Sequence, residues 1–306
     1  MVVTVSLQNV SKTIKKKKII DDLSFDVYSG EIFGFLGPNG AGKTTTIRMI
    51  VGLMKVSDGD IFICGNSVKS DFEKAIGQVG AIVENPELYK YLTGYDNLKH
   101  FARMSVGVNQ DRINEVIELV GLKERIYDKV KTYSLGMRQR LGLAQALLHK
   151  PKVLILDEPT NGLDPQGIRE IRDYMKKLAR EEGMSVIVSS HLLSEMEMMC
   201  DRFGIIQNGK LVDIQNVHEA VDKENKKMSI IVEPLKKAFQ ILQEEFPNYA
   251  IEVVGKSLQV TLDQDEIPSL IRTLVRQDCA IYSVENITVS LEEKFLQITG
   301  VGGQIQ

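Results

Sequence analysis

No tryptophan occurs in the 306 residues, and cysteine, histidine and proline are sparse at three, four and eight. The cysteines, Cys64, Cys200 and Cys279, are odd in number and far apart. That argues against both a secreted disulfide framework and a clustered metal module, and makes a reducing cytoplasm the expected compartment. His100, His149 and His218 have no metal-ligand spacing either. A dominant charge is also missing: 38 Lys and Arg stand against 41 Asp and Glu, a formal net charge of -3. Such a balance has none of the basic footprint of a general nucleic-acid binder. No stretch approaches the roughly eighteen apolar residues of a membrane helix. Met1-Val2-Val3-Thr4-Val5-Ser6 lacks the basic and apolar regions of a signal peptide. A role at a membrane therefore needs a partner.

What remains is the composition of an ordinary globular chain, 43% hydrophobic and 26% charged, long enough for about two domains. Residues 2–220 alternate short apolar runs with helical stretches, the pattern of an α/β domain. The runs at 31–36, 79–83, 153–157 and 185–189 are apolar throughout, as parallel strands buried on both faces require. Those at 4–10, 23–28 and 60–64 carry polar interruptions and read as antiparallel, so a mixed sheet is expected. A helical insert is expected over about residues 86–150. In it, Thr93-Gly94-Tyr95-Asp96 resembles a capping box, and Ile113, Val116, Ile117 and Val120 recur at helical spacing before Gly121. The domain is expected to span 1–221 and to end at the charged linker 222–227, Asp222-Lys223-Glu224-Asn225-Lys226-Lys227. Residues 228–306 read β-α-β-β-α-β, a small ferredoxin-like α+β domain, with a closing helix at 290–298. Nothing in that part reads as catalytic, and Gly255-Lys256 reads as a hairpin turn.

Gly37-Pro38-Asn39-Gly40-Ala41-Gly42-Lys43-Thr44 fits G-x-x-x-x-G-K-[ST] between an apolar strand and a helix expected from Thr45. In that setting backbone N–H groups at a helix start cradle phosphates, Lys43 reaches the β- and γ-phosphates, and the Thr44 hydroxyl ligates Mg²⁺. Chance alone yields the bare pattern in roughly one chain of this length in a hundred, so ATP binding is expected. Val153-Leu154-Ile155-Leu156-Asp157-Glu158 puts two carboxylates at the end of a buried strand, where a parallel sheet presents its ligand edge. Asp157 is the candidate for Mg²⁺ through water and Glu158 for the attacking water; two solvated strand-end acids are an equal alternative taken alone and the minor one beside a phosphate loop. Asp164 before Pro165 is also a good helix N-cap with proline at the first helical position.

In order and spacing, these segments resemble the nucleotide-binding subunit of an ATP-binding-cassette (ABC) transporter, a P-loop NTPase with a mixed sheet and helical insert. Ser134-Leu135-Gly136-Met137-Arg138-Gln139-Arg140 resembles the signature that precedes a helix, Asn161-Gly162-Leu163-Asp164 the D-loop, and His191 the switch histidine. The resemblance implies that His191 contacts the γ-phosphate. It also implies that Ser134, Gly136 and Asp164 act on nucleotide held by a partner, and that Thr45 and Ile14 belong to the nucleotide site. Three departures stand out. The usual Leu-Ser-Gly-Gly-Gln reads Tyr133-Ser134-Leu135-Gly136-Met137, which requires Leu135 to accept the local dihedrals. Glu84 stands for the Q-loop glutamine, a possible Mg²⁺ ligand that adds negative charge. Ile14, beside Lys15-Lys16-Lys17-Lys18, stands where an aromatic residue stacks on adenine, and the lysines read as a solvated hairpin.

Glu84, the Tyr133-Ser134-Leu135-Gly136-Met137 signature, Asn161-Gly162-Leu163-Asp164-Pro165 and a C-terminal extension closing in Ser290-Leu291-Glu292-Glu293-Lys294-Phe295-Leu296 are together most similar to bacterial bacitracin-resistance and lantibiotic-immunity exporters. The resemblance implies an ATP-sandwich homodimer that drives a separate membrane permease and lies peripherally at the inner face of the cell membrane. Tyr89, Tyr91 and Leu92 then either offer a groove to a permease helix or form insert core. Small drugs, lipids or ions are alternative cargoes. A soluble ABC ATPase acting on nucleic acid or the ribosome is the alternative class, disfavoured by the single cassette and mild acidity.

Overall fold

The computed structural model describes residues 2–217, 227–262 and 264–286. The chain divides into two compact units, Met1–Gln215 and Asn216–Gln306. Residues 222–226 of the charged stretch and the closing helix at 290–298 lie outside the described residues.

In the first unit, β1 (Val3–Ile14) and β2 (Lys17–Tyr28) form a long antiparallel hairpin. Lys15 and Lys16 turn it, both with positive φ, so the lysine run is a hairpin tip. With β4 (Asp58–Ile63) and β5 (Asn66–Ser67) these strands make a sheet of order β2-β1-β4-β5. The second sheet has order β10-β9-β3-β8-β7-β6. It consists of β3 (Ile32–Leu36), β6 (Val79–Ile82), β7 (Val153–Asp157), β8 (Ser185–Ser190), β9 (Arg202–Gln207) and β10 (Lys210–Asn216). Every residue of β3, β7 and β8 is buried, the polar Asp157, Ser185, Ser189 and Ser190 included, as expected of central parallel strands covered on both faces. Phe25 of β2 stacks on Phe33 at 5.2 Å and meets Phe35 edge-on at 5.1 Å, joining the two sheets through one core.

Helices α1 (Lys43–Ile50), α2 (Phe72–Ile76), α3 (Gly94–Ala102), α4 (Gln110–Leu119), α5 (Leu135–Leu147), α6 (Pro165–Glu182) and α7 (Leu193–Met199) complete this unit. The residues 86–150 hold α3, α4 and α5. The cap signals act as read, with one change. Thr93 accepts the Asp96 N–H at 3.0 Å, but the Asp96 carboxylate accepts a hydrogen bond from the Thr93 hydroxyl at 2.7 Å and not from the Thr93 N–H, leaving half a capping box. Asp164 accepts the Gly167 N–H at 2.9 Å ahead of Pro165, and Gly183 closes α6 at φ 65. Helix α1 starts two residues before Thr45, because Gly42 takes φ 116 as its N-cap.

The turn between β9 and β10 braces the loop after β3. The Gly209 N–H donates to the Ala41 carbonyl at 2.9 Å, and the Gly209 carbonyl accepts the Asp21 N–H at 2.8 Å. Gly209 has φ 77, and a Cβ there would lie 2.0 Å from the Ile19 carbonyl oxygen. Gly209→Ala therefore meets both left-handed strain and a backbone clash, together about 2–4 kcal/mol. Thermal unfolding is expected to fall by roughly 6 °C or more, with weaker ATP binding, since the loop loses its brace.

The second unit runs β11 (Lys227–Glu233), α8 (Leu235–Glu245), β12 (Ala250–Val254), β13 (Ser257–Thr261), α9 (Ile267–Arg276) and β14 (Ala280–Asn286). Its antiparallel sheet has order β12-β13-β11-β14, the β-α-β-β-α-β arrangement read from the sequence. Met228, Ile230 and Val232 pack on Leu242, Leu270 and Leu274 of its two helices. Gly255 and Lys256 link β12 to β13.

Candidate nucleotide site

The phosphate-loop residues follow the buried edge of β3. A Cβ on Gly37 would sit 2.3 Å from the Ile206 carbonyl oxygen, and one on Gly42 2.5 Å from the Ile20 side chain. Gly40 and Gly42 have φ 81 and 116, so only glycine fits this tight path. Pro38, Asn39 and Gly40 are exposed, while Ala41, Gly42 and Lys43 are buried. The Lys43 ammonium donates to the Gly37 carbonyl at 2.7 Å and lies 3.7 Å from Glu158 Oε1. Burial pushes its pKa below the usual lysine range, opposed by Glu158 and Asp157. A desolvated ammonium on a glycine loop at a helix start is a strong phosphate ligand. Thr45 follows on α1, half-buried.

The two carboxylates meet the loop from β7. In the parallel register Asp157 pairs with Ser189 of β8. The Ser189 hydroxyl donates to Asp157 Oδ1 at 2.5 Å and accepts the Glu158 N–H at 3.0 Å. Glu158 has φ 47 and its carboxylate lies 3.4 Å from His191 Nδ1. One residue before that histidine, Ser190 donates to the buried Glu195 carboxylate at 2.6 Å and accepts the Leu192 N–H at 3.0 Å. Thr44, Glu84, Asp157 and Glu158 share a cavity of about 240 Å³ with Asn85, Gln139 and Asn161. Among the described residues no cluster of three or more His, Cys, Asp or Glu encloses a metal on its own. The hydroxyl and carboxylate oxygens here fit Mg²⁺, which keeps waters and takes substrate phosphates beside one or two protein ligands. Glu84 has φ 66 and pairs with Arg48 of α1 at 2.5 Å. The charge that it adds relative to glutamine is thus balanced within the chain.

Ser134, Leu135, Gly136 and Asp164 line a different cavity, about 380 Å³, with Gly162 and Leu163 among its walls. No residue lines both cavities. Ser134 caps α5 by accepting the Met137 N–H at 3.2 Å, so Leu135 is simply the first helical residue. That removes the need for glycine at this place in the signature. Gln139 of the same helix is buried and faces the first cavity, a contribution that the signature pattern does not reveal. Ile14 lines neither cavity; it is 39% exposed beside the hairpin tip.

Residues 20–161 match the ABC transporter family. The ABC transporter ATP-binding protein YhcH of Bacillus subtilis (strain 168) is 60% identical across 98% of this chain and 97% of its own length. The chain belongs to the ABC transporter family. It is an ATP-binding subunit and an ATPase. Two further relatives carry printed roles. The bacitracin transport ATP-binding protein BcrA of Bacillus licheniformis is 38% identical over 96% of each chain. The lantibiotic transport ATP-binding protein SrtF of Streptococcus pyogenes is 40% identical over 67% of this ABC subunit and 88% of its own length. Among solved structures, an ATP-binding subunit of an ABC transporter superposes with a TM-score of 0.64 at 30% identity, covering 72% of this chain and 92% of that one. A dimeric cassette bound to ADP and phosphate shares the fold, with a TM-score of 0.63 at 24% identity over 70% of this chain and 98% of that one. No helix among the described residues of the ABC subunit is long and apolar enough to cross a membrane.

Proposed function

We propose that this ABC subunit powers a separate membrane permease that exports a peptide antibiotic of the bacitracin or lantibiotic kind, acting at the inner face of the cell membrane. The similarity to BcrA along nearly the whole chain carries this reading, and the similarity to SrtF supports it. In the cell it works as a homodimer. ATP on one chain's Lys43 and Thr44 is closed over by Ser134, Gly136 and Asp164 of the other. The separation of the two cavities supports that division of labour, since Thr44, Asp157 and Glu158 line one and Ser134, Gly136 and Asp164 the other.

Within one half-site, Lys43 holds the β- and γ-phosphates, and Thr44, Asp157 and Glu84 are the groups that would hold Mg²⁺, Asp157 through water. The ion would supply positive charge against the charge that develops on the phosphates. Glu158 takes a proton from the attacking water, and His191, held near Glu158, contacts the γ-phosphate. Ile14 gives the base apolar contact without a π-face. Tyr91, 69% exposed and next to Tyr89, offers an aromatic surface for a permease helix.

The test is protection. Cells lacking this chain and its permease regain bacitracin or lantibiotic tolerance with the wild-type pair and not with Glu158→Gln in its place. Equal growth inhibition with either pair, at equal protein levels, contradicts the proposed cargo.

A further inference from the structure

The hydroxyl of Ser189 touches both acidic residues of the hydrolytic site at once. It donates its one proton to Asp157 Oδ1 at 2.5 Å and accepts the Glu158 N–H at 3.0 Å. A serine hydroxyl has one donor and two acceptor positions, so both bonds are made together. Ser189 is fully buried, so both bonds are made away from solvent. The β7–β8 register places the two residues side by side, so the arrangement belongs to the sheet and not to a loop.

Each bond has a separate consequence. Binding at Oδ1 fixes the carboxylate of Asp157, a residue that lines the same cavity as Thr44, and leaves Oδ2 outside that bond. The bond from the Glu158 N–H holds a residue whose φ of 47 is unfavourable for a side chain with a Cβ. That backbone position aims the Glu158 carboxylate toward Lys43 and His191 at 3.7 and 3.4 Å. The next residue, Ser190, is tied to Glu195 on α7, so the strand end carrying His191 is anchored on both sides.

We infer that Ser189 is the positioning residue of the hydrolytic site, setting the orientation of the Mg²⁺-directed carboxylate Asp157 and of the base Glu158 through one buried hydroxyl. This rests on the roles proposed above for those two residues. Ser189 itself touches no phosphate; it acts through its neighbours.

Ser189→Ala removes the hydroxyl without adding volume, and Ser189→Thr keeps it. In the full-length protein, Ser189→Ala is expected to lower kcat by about 30-fold, the size of a lost hydrogen bond to a charged group. Ser189→Thr is expected to stay within about threefold of wild type. A second readout is equilibrium binding. ATP affinity in EDTA, set by the Lys43 loop, is expected to change less than about twofold in Ser189→Ala. The Mg²⁺ concentration that half-maximally enhances ATP binding is expected to rise about tenfold. Wild-type Mg²⁺ dependence in Ser189→Ala overturns the inference, and so does an equal loss of ATP affinity in EDTA, which indicates general damage. If Ser189→Thr does not fold, the two alanine readouts still decide. Undiminished turnover in Glu158→Gln contradicts the base assignment instead, whatever Ser189→Ala does.

Discussion

Glu158→Gln is expected to reduce ATP turnover by about 10³-fold, within the usual range for loss of a general base. Its amide has nearly the same shape and keeps the backbone bond to Ser189, so the loop and the fold are left intact. ATP affinity is expected to hold or to rise, because a negative charge 3.7 Å from Lys43 has been removed. Binding without hydrolysis leaves the closed dimer no route to reopen. Size-exclusion chromatography with ATP and Mg²⁺ is therefore expected to show a stable dimer for Glu158→Gln and mostly monomer for the wild type after turnover. Monomer together with persisting phosphate release removes Glu158 from the mechanism.

The second large effect is at Lys43. Its ammonium is buried, donates to the Gly37 carbonyl and has its pKa lowered by that burial. Lys43→Ala deletes the buried ammonium proposed to hold the phosphates, so ATP affinity is expected to fall about 10²-fold and turnover about 10³-fold. The same change removes a costly buried charge from the nucleotide-free protein, so its melting temperature is expected to stay level or to rise. Isothermal titration and thermal unfolding check the two halves. A large drop in unfolding temperature together with normal ATP affinity contradicts the assignment. Binding is lost while stability is kept only if the loop holds this lysine for the ligand and not for the fold.

The parts of this site that sequence conveys are those whose partners are near in the chain. Gly37 to Thr44 is legible because its pattern is eight consecutive residues long, although the close approaches of Ile206 to Gly37 and of Ile20 to Gly42 are not, and the Asp164 cap lies three residues from the amide it serves. The apolar stretches 32–36, 153–156 and 186–188 at the centres of β3, β7 and β8 report burial on both faces directly. Ser189 is different: it lies 32 positions from Asp157, and only the strand register brings them together. Arg48 and Glu84 are 36 positions apart, so the extra charge of Glu84 looks uncompensated until the fold is known. Gly209 reads as an ordinary turn, and its brace on Ala41 depends on a hairpin between two strands that the apolar pattern does not single out. Arg202–Gln207 and Lys210–Asn216 have polar residues at their ends or along their length, which hides them beside the apolar centres of β3, β7 and β8. Leu135 is the opposite case. A departure that looked demanding in sequence is harmless because Ser134 caps the helix one residue earlier.

In the proposed dimer each chain holds two incomplete half-sites, one at Lys43 and one at Ser134 and Gly136. Mixing two inactive full-length variants tests this directly, one carrying Lys43→Ala and the other Gly136→Glu. Each homodimer has two broken sites, but a mixed dimer joins one intact phosphate loop to one intact signature. Random pairing in a two-fold dimer then restores about a quarter of wild-type turnover. A mixture no more active than the two variants measured apart contradicts the shared site.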